Sequence, residues 1–281
     1  MTRDNTPQHE PAFNPPVALA SLSGRSDAEW AATGAEYAGV AFLGGIAIDE
    51  ATREAARAMV DRDRTEYLPA DPTAFIDDQL ARTADLPVRP GFNVRTVALP
   101  PLAEAAEVCR RHDAILEINA HCRQTEICAA GSGESLLTEP DRLCEQVAVA
   151  DEHGDAVSVK VRAEVPGVDL PALARRVADA GAEYLHLDAM DSEAVVGEVA
   201  GAADITVIAN NEVRDRASVA EYLSHGAGAV SVGRPSDDPR VLSRIHSAAT
   251  EWFDADGGFR DDPDTRTMTN IETTQTIGGG E

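Results

Sequence analysis

Residues 156–188 read AVSVKVRAEVPGVDLPALARRVADAGAEYLHLD. The first seven alternate, with Val157, Val159 and Val161 apolar, as in a buried strand, and they end in two cations, Lys160 and Arg162. Residues 169–179 carry apolar side chains at helical spacing, and Gly181 stands just past their end, where a helix C′ stop belongs. Residues 183–188, EYLHLD, are a second short strand. Strand, helix, strand is the unit from which the rest of the chain is read.

The unit recurs in both directions. Toward the N-terminus, strands are predicted at residues 16–22, 39–43, 88–93 and 114–119, the second ending in Gly44-Gly45 and the third interrupted by Pro90. Helices are predicted at residues 27–37, 49–60 (with Asp49 as N-cap), 73–82, 102–111 and 141–153. Toward the C-terminus, helices at residues 193–200, 215–225 and 239–253 alternate with strands at 205–210 and 228–232. Eight short strands alternating with helices define an α/β fold, a (β/α)8 TIM barrel, with a doubly wound open sheet as the alternative. The expected organisation is a flexible lead over residues 1–14, one barrel over 15–253, and an acidic, disordered tail over 254–281.

The placement of polar residues favours the barrel. Asn93, Asn119, Lys160, Arg162, Asp188, Asn210 and Arg234 all fall at predicted C-terminal ends of strands, the face that carries the active site in barrels of this class. Lys160 is the only lysine in 281 residues. An ammonium is a compact point donor whose pKa responds to burial, and a guanidinium does not replace it. Lys160 and Arg162 project to the same side of their strand and together suit an electron-rich ring.

The totals narrow the partners. The net charge is −25, with acidic residues spread along the whole chain. Such a charge keeps a protein soluble and repels itself unless salt screens it, so adaptation to a high-salt cytoplasm is the expectation. It also weighs against a basic nucleic-acid face. Four cysteines in a chain this long do not make a disulfide framework. No signal peptide or membrane-spanning run is evident, so a cytoplasmic protein without a membrane partner is expected.

Two stretches carry chemistry. In residues 117–137, EINAHCRQTEICAAGSGESLL, Asn119 ends a strand and Cys122 follows in the loop, placed to act as nucleophile, acid or ligand. Gly131-Ser132-Gly133 provides backbone that can approach a ligand closely. His121, Cys122 and Cys128 match no strong zinc spacing, so no metal is expected. At the end of the eighth strand, Gly233 and Arg234 offer donors to a phosphate, with Asn210 from the seventh strand beside them.

These motifs, in this order, resemble the tRNA-dihydrouridine synthase family of FMN-dependent barrels from about Pro16 to Arg244. VALASLSG at residues 17–24 is similar to the family's opening V-L-A-P-M-A-G. Asn119 and Cys122 match its N-x-G-C-P, and Gly131, Gly133, Leu136 and Leu137 match its G-x-G-x-x-L-L. Lys160 and Arg162 match V-K-x-R, Asn210 matches I-x-N-G-D, and Gly233 and Arg234 match I-G-R. The chain departs from the pattern at His121 (glycine in the family), Arg123 (proline), Asn211-Glu212 (Gly-Asp) and Asp188, where the family has a flavin-facing histidine. His186 lies on the same face of that strand.

The resemblance implies an FMN-dependent oxidoreductase that reduces the C5–C6 bond of a uracil base, with NADPH as reductant. FMN would lie across the barrel mouth, held by Ala20, Ser21, Asn93, Lys160, Asn210, Gly233 and Arg234. Asn119 and Arg162 would hold the base, and Cys122 would donate the proton to C5. The family's partner is tRNA. The acidic composition, and the lack after Arg244 of the family's tRNA-holding helical domain, favour as alternatives a free small-molecule pyrimidine, on a dihydroorotate dehydrogenase-like barrel, or a non-redox phosphate-ligand barrel.

Overall fold

The computed structural model describes residues 10–255 and Gly258. Eight parallel strands close into one barrel in chain order: β1 Val17–Leu19, β2 Val40–Ala47, β3 Arg89–Arg95, β4 Ile115–Asn119, β5 Val157–Arg162, β6 Tyr184–Asp188, β7 Thr206–Asn210 and β8 Ala229–Val232. β1 pairs with β8 to complete the ring. Strands covered by helices outside and side chains inside have no wet face, which is why they read as near-continuous apolar runs.

Six helices start where the sequence supplies an aspartate cap. Asp27, Asp49, Asp71, Asp169, Asp215 and Asp238 each accept a backbone N–H in the first turn of the helix that follows. Part of the acidic composition therefore has a structural use, since a carboxylate at a helix N-terminus satisfies an orphan donor and complements the dipole. Asp49 does more: its second oxygen accepts from Thr96 Oγ1 and from the Val97 N–H, both at 2.7 Å, tying the loop after β3 to the end of β2.

The inward-facing side chains are layered. At the N-terminal end Ala18, Val40, Phe42, Ile115, Ala156, Ile208 and Ala229 form an apolar floor. One step up each strand the layer is polar and fully enclosed, with Asn93, Glu117, Ser158, His186 and Ser231. Asn119, Lys160, Arg162 and Asp188 stand above that layer, at the mouth.

Three expectations change. β2 does not stop at Gly44-Gly45 but runs on to Ala47, because both glycines take positive φ (86° and 77°) and carry the strand through a register shift against β3. Residues 117–137 contain structure beyond an irregular loop: a short helix Thr125–Ala129 and a 3-10 turn Gly133–Thr138. Residues 10–14, part of the expected lead, pack under the barrel, where the Ala12 N–H donates to the Gly228 carbonyl (2.9 Å) and Phe13 meets Tyr184. Residues 1–9 and nearly all of the expected tail fall outside the described residues, and Asp254 itself ends the last helix, Pro239–Asp254.

Candidate active site

A cleft of about 740 Å³ opens at the C-terminal ends of the strands. One wall is the loop after β1 (Ser21, Leu22, Ser23 and Arg25), joined by residues 63–66, which return across the mouth. The opposite wall is the loop after β4, from His121 to Gln124. Asn119, Lys160, Arg162 and Asp188 form the base, and Met190, Asn211 and Arg234 close the far side. This size and mixed lining suit a cofactor-sized ligand.

The loop that carries Cys122 is fixed from beneath. Asn119 Oδ1 accepts from the Cys122 N–H (2.9 Å) and the His121 N–H (3.2 Å). Asn119 Nδ2 donates to Asn93 Oδ1 at 2.8 Å, and Asn93 Nδ2 donates to Glu117 Oε1 at 2.7 Å. The Cys122 carbonyl accepts from the Glu134 N–H (2.9 Å) and from Cys128 Sγ (3.4 Å). Gly133 sits against that carbonyl at φ +65°, and a Cβ there would lie 2.3 Å from the oxygen. The second glycine of Gly-Ser-Gly thus serves a close approach to the cysteine loop, where the sequence predicts an approach to a ligand.

Lys160 lies between Asn119 on β4 and His186 on β6 in the barrel register. Its side chain is buried, and among the described residues it has no hydrogen-bond or ion-pair partner. Burial pushes its pKa below the ordinary lysine value, opposed by the Glu117 and Asp188 carboxylates. Arg162 Nη1 pairs with Glu134 at 2.7 Å, while its Nε is buried without a partner. Such unsatisfied donors beside a cleft match an electron-rich, acceptor-bearing ligand.

Beneath Lys160 lies a closed hydrogen-bond network. Glu117 Oε2 accepts from Ser158 Oγ (3.2 Å) and meets His186 Nδ1 at 2.7 Å. His186 Nε2 meets Ser231 Oγ at 2.8 Å, and Asn210 Nδ2 donates to the same oxygen at 2.6 Å. Burial pushes the Glu117 carboxyl up, but the His186 ring, Lys160 and Asn93 outweigh it and hold the group below the usual carboxylate range. Burial holds the His186 imidazole below its usual value.

Several expected positions move. Asn93 is neither a strand end nor on the cleft: β3 continues to Arg95, and the fully buried Asn93 amide is spent on Asn119 and Glu117. His186 likewise does not face the mouth, since both its nitrogens are engaged inside. The imidazole at the mouth is His121, whose Nε2 meets Asp188 Oδ2 at 2.7 Å. Ala20 is in the barrel wall, its N–H on the Val232 carbonyl, and Ser21 lines the cleft. Asn210 points to Ser231, and it is Asn211, at φ 102°, that lines the cleft. Gly233 has open space where a Cβ would be, beside Arg234 at the rim.

Sequence reasoning missed the return segment. Glu66 is paired with Arg95, both side chains buried, and Arg95 also donates to the Gly45 carbonyl. Nε and Nη1 of Arg95 have no partner. Arg62 pins the same segment to Glu126 in the helix after Cys122 (2.7 Å). The run Asp61-Arg62-Asp63-Arg64 reads as solvated charge, and nothing local in it marks a contact with β3.

The fold and cleft define a TIM-barrel enzyme with its site on the C-terminal face. The dihydrouridine synthase family model matches residues 96–257, more than half of the chain, and the chain belongs to that family. It is a flavin-dependent oxidoreductase on an FMN barrel. It is 26% identical over 249 residues to an uncharacterized protein of Methanocaldococcus jannaschii, covering 84% of this chain and 92% of that one. Among solved structures it is similar to a FabK mutant from Thermotoga maritima, with TM-score 0.54, 17% identity and 80% of this chain covered; the chain spans 63% of FabK's length. A mandelate oxidase mutant with the C4a-OH-FMN adduct aligns at TM-score 0.50 and 16% identity, covering 85% of this chain and 74% of that one. At these identities the two structures speak to the fold. Among the described residues, no helix is long and apolar enough to cross a membrane.

Proposed function

We propose that this chain reduces the C5–C6 double bond of a uracil base in tRNA, with FMN as cofactor and NADPH as the source of electrons. The observation that carries the reading is the convergence of Cys122, Lys160 and Arg162 on one cleft in a dihydrouridine synthase family barrel. When bound, FMN supplies the hydride that goes to C6. The chain's own residues supply the rest. Lys160 would hold the cofactor with an unpartnered cation, which favours the electron-rich state of its ring. Gly233, with open space in place of a side chain, and Arg234 at the rim would receive the phosphate. Arg162, with a buried free Nε, and Asn119 orient the base. The Cys122 thiol, held by the Asn119 cap, gives its proton to C5. A uridine in folded tRNA must leave its stack to reach a recessed site of this kind.

The net charge of −25 favours a second reading, in which the same chemistry acts on a free pyrimidine. Dihydrouridine content of tRNA from a strain lacking this gene separates the two. Loss of dihydrouridine at one or more positions supports the tRNA reading. An unchanged content transfers the activity to a free base or nucleotide.

A further inference from the structure

The unassigned feature of the cleft is the contact between His121 and Asp188. It joins the loop after β4 to the end of β6 across 67 residues of sequence, at 2.7 Å between Nε2 and Oδ2. Both positions depart from the family pattern, and they touch each other.

Asp188 also accepts from the Met190 N–H (3.2 Å). Burial pushes its carboxyl up, but His121, that backbone N–H and Lys160 hold it below the usual carboxylate range, so it is an ionised acceptor. The hydrogen on His121 must therefore sit on Nε2. Burial, with Lys160 and Arg162, outweighs the opposing Asp188 carboxylate and holds the imidazole below its usual value, which favours the neutral ring with a bare lone pair on Nδ1. His121 lines the cleft with 31% of its side chain exposed, and among the described residues Nδ1 has no partner. The charged groups that act on the ring are Lys160 and Arg162 from β5 and Asp188 from β6. The cleft thus presents this acceptor together with the unpartnered Lys160 ammonium.

An acceptor and a donor on one cleft are complementary to the adjacent N–H and C=O of a pyrimidine edge. The geometry points to His121, oriented by Asp188, as the residue that accepts the imide N–H of a pyrimidine edge while Lys160 donates to a neighbouring carbonyl. This rests on the flavin and uracil reading of the site, and it makes the His121–Asp188 pair a specificity device against pyrimidines that lack an N–H there. The isoalloxazine ring and a uracil base both carry such an edge, so the test has two arms.

In the first arm, apoprotein is titrated with FMN and with N3-methyl-FMN. In the second, holoenzyme is titrated with uridine monophosphate and with N3-methyluridine monophosphate, read by flavin absorbance. The wild type is expected to prefer the unmethylated ligand by about tenfold in one arm, the worth of one hydrogen bond, and that arm names the ring. His121→Ala should reduce the preference to about twofold. His121→Gln, which keeps a donor for Asp188 and an acceptor for the ligand, should restore it. Asp188→Asn keeps the shape but lets the amide donate to Nε2, moves the ring hydrogen to Nδ1, and should abolish the preference. Because it leaves the size of the site unchanged, it separates recognition from steric exclusion of a methyl group. Equal wild-type affinities in both arms, or a preference that survives Asp188→Asn, overturn the assignment. A wild type that reduces no uridine but discriminates in the flavin arm leaves the assignment standing and removes the substrate reading.

Discussion

The Cys122 N–H and the Asn119 side-chain oxygen are 2.9 Å apart, and this bond sets where the thiol stands. Asn119 is anchored in turn by Asn93, and Asn93 by Glu117, so the loop is held by a chain of buried amides that ends on a carboxylate. Replacing Asn119 with alanine removes the cap and leaves the buried Asn93 Oδ1 without its donor. The expected cost is about 1–3 kcal/mol of stability, from urea denaturation, and a fall in kcat of about tenfold or more as Cys122 loses its position. A variant with wild-type kcat would show that the cap does not position the thiol.

Cys122→Ala should leave FMN bound, with its absorption band intact, and lower base reduction by about 10²–10⁴-fold, the usual worth of a positioned acid. Unchanged turnover would remove Cys122 from the reaction.

Lys160→Met should move stability and function in opposite directions. The Lys160 ammonium is held below its ordinary pKa by burial, so the unfolded chain holds that proton more firmly, and carrying the charge at neutral pH costs the fold stability. The methionine variant is therefore expected to melt about 2–4 °C higher as apoprotein. Its FMN affinity or flavin reduction rate should fall. A lower melting temperature would mean that the Glu117 and Asp188 carboxylates depend on the ammonium more than burial penalises it.

Acid should destabilise the apoprotein earlier than carboxylates alone would. His186 and His121 are both held below the ordinary imidazole value by burial, so below about pH 6.5 the unfolded chain takes up protons that the folded chain refuses. Stability then falls with pH from that point. It falls further as the pH drops through the lowered values of Glu117 and Asp188. Urea midpoints at fixed high salt, taken from about pH 7 to about pH 5, should decline, and a flat profile would contradict the buried neutral rings.

Glu66→Ala should cost about 3–5 kcal/mol, because it strands the buried Arg95 guanidinium, which already has two nitrogens without partners. Urea denaturation reads this directly, and a loss under about 1 kcal/mol would mean that water reaches Arg95.

Much of the barrel was legible because parallel strands buried on both faces leave apolar runs, and glycines and aspartates punctuate the units between them. The ends of β4, β5 and β6 were read to the residue. The end of β2 was not, because Gly44 and Gly45 look like a stop and act as a bulge. The short helix after Cys122 was hidden because its one buried residue, Ile127, packs on Ala55 and Met59 of the distant helix Glu50–Val60, so no local period marks it. The polar layer inside the barrel was missed for a different reason. Glu117 and His186 alternate with apolar neighbours as surface-facing residues would, and their contact spans 69 positions. Cys122, Lys160 and Arg162 came from local motifs and reach the cleft. Asn93 came from a strand boundary two residues too early.

The most direct measurement is an anaerobic single turnover. The FMN-loaded protein is reduced and then mixed with a tRNA transcript that carries no modified bases, while flavin absorbance and dihydrouridine are followed together. The predicted result is return of the oxidised flavin band with one dihydrouridine formed per flavin, slowed in Cys122→Ala. Flavin that stays reduced in the presence of the transcript and of free uracil nucleotides alike would contradict it.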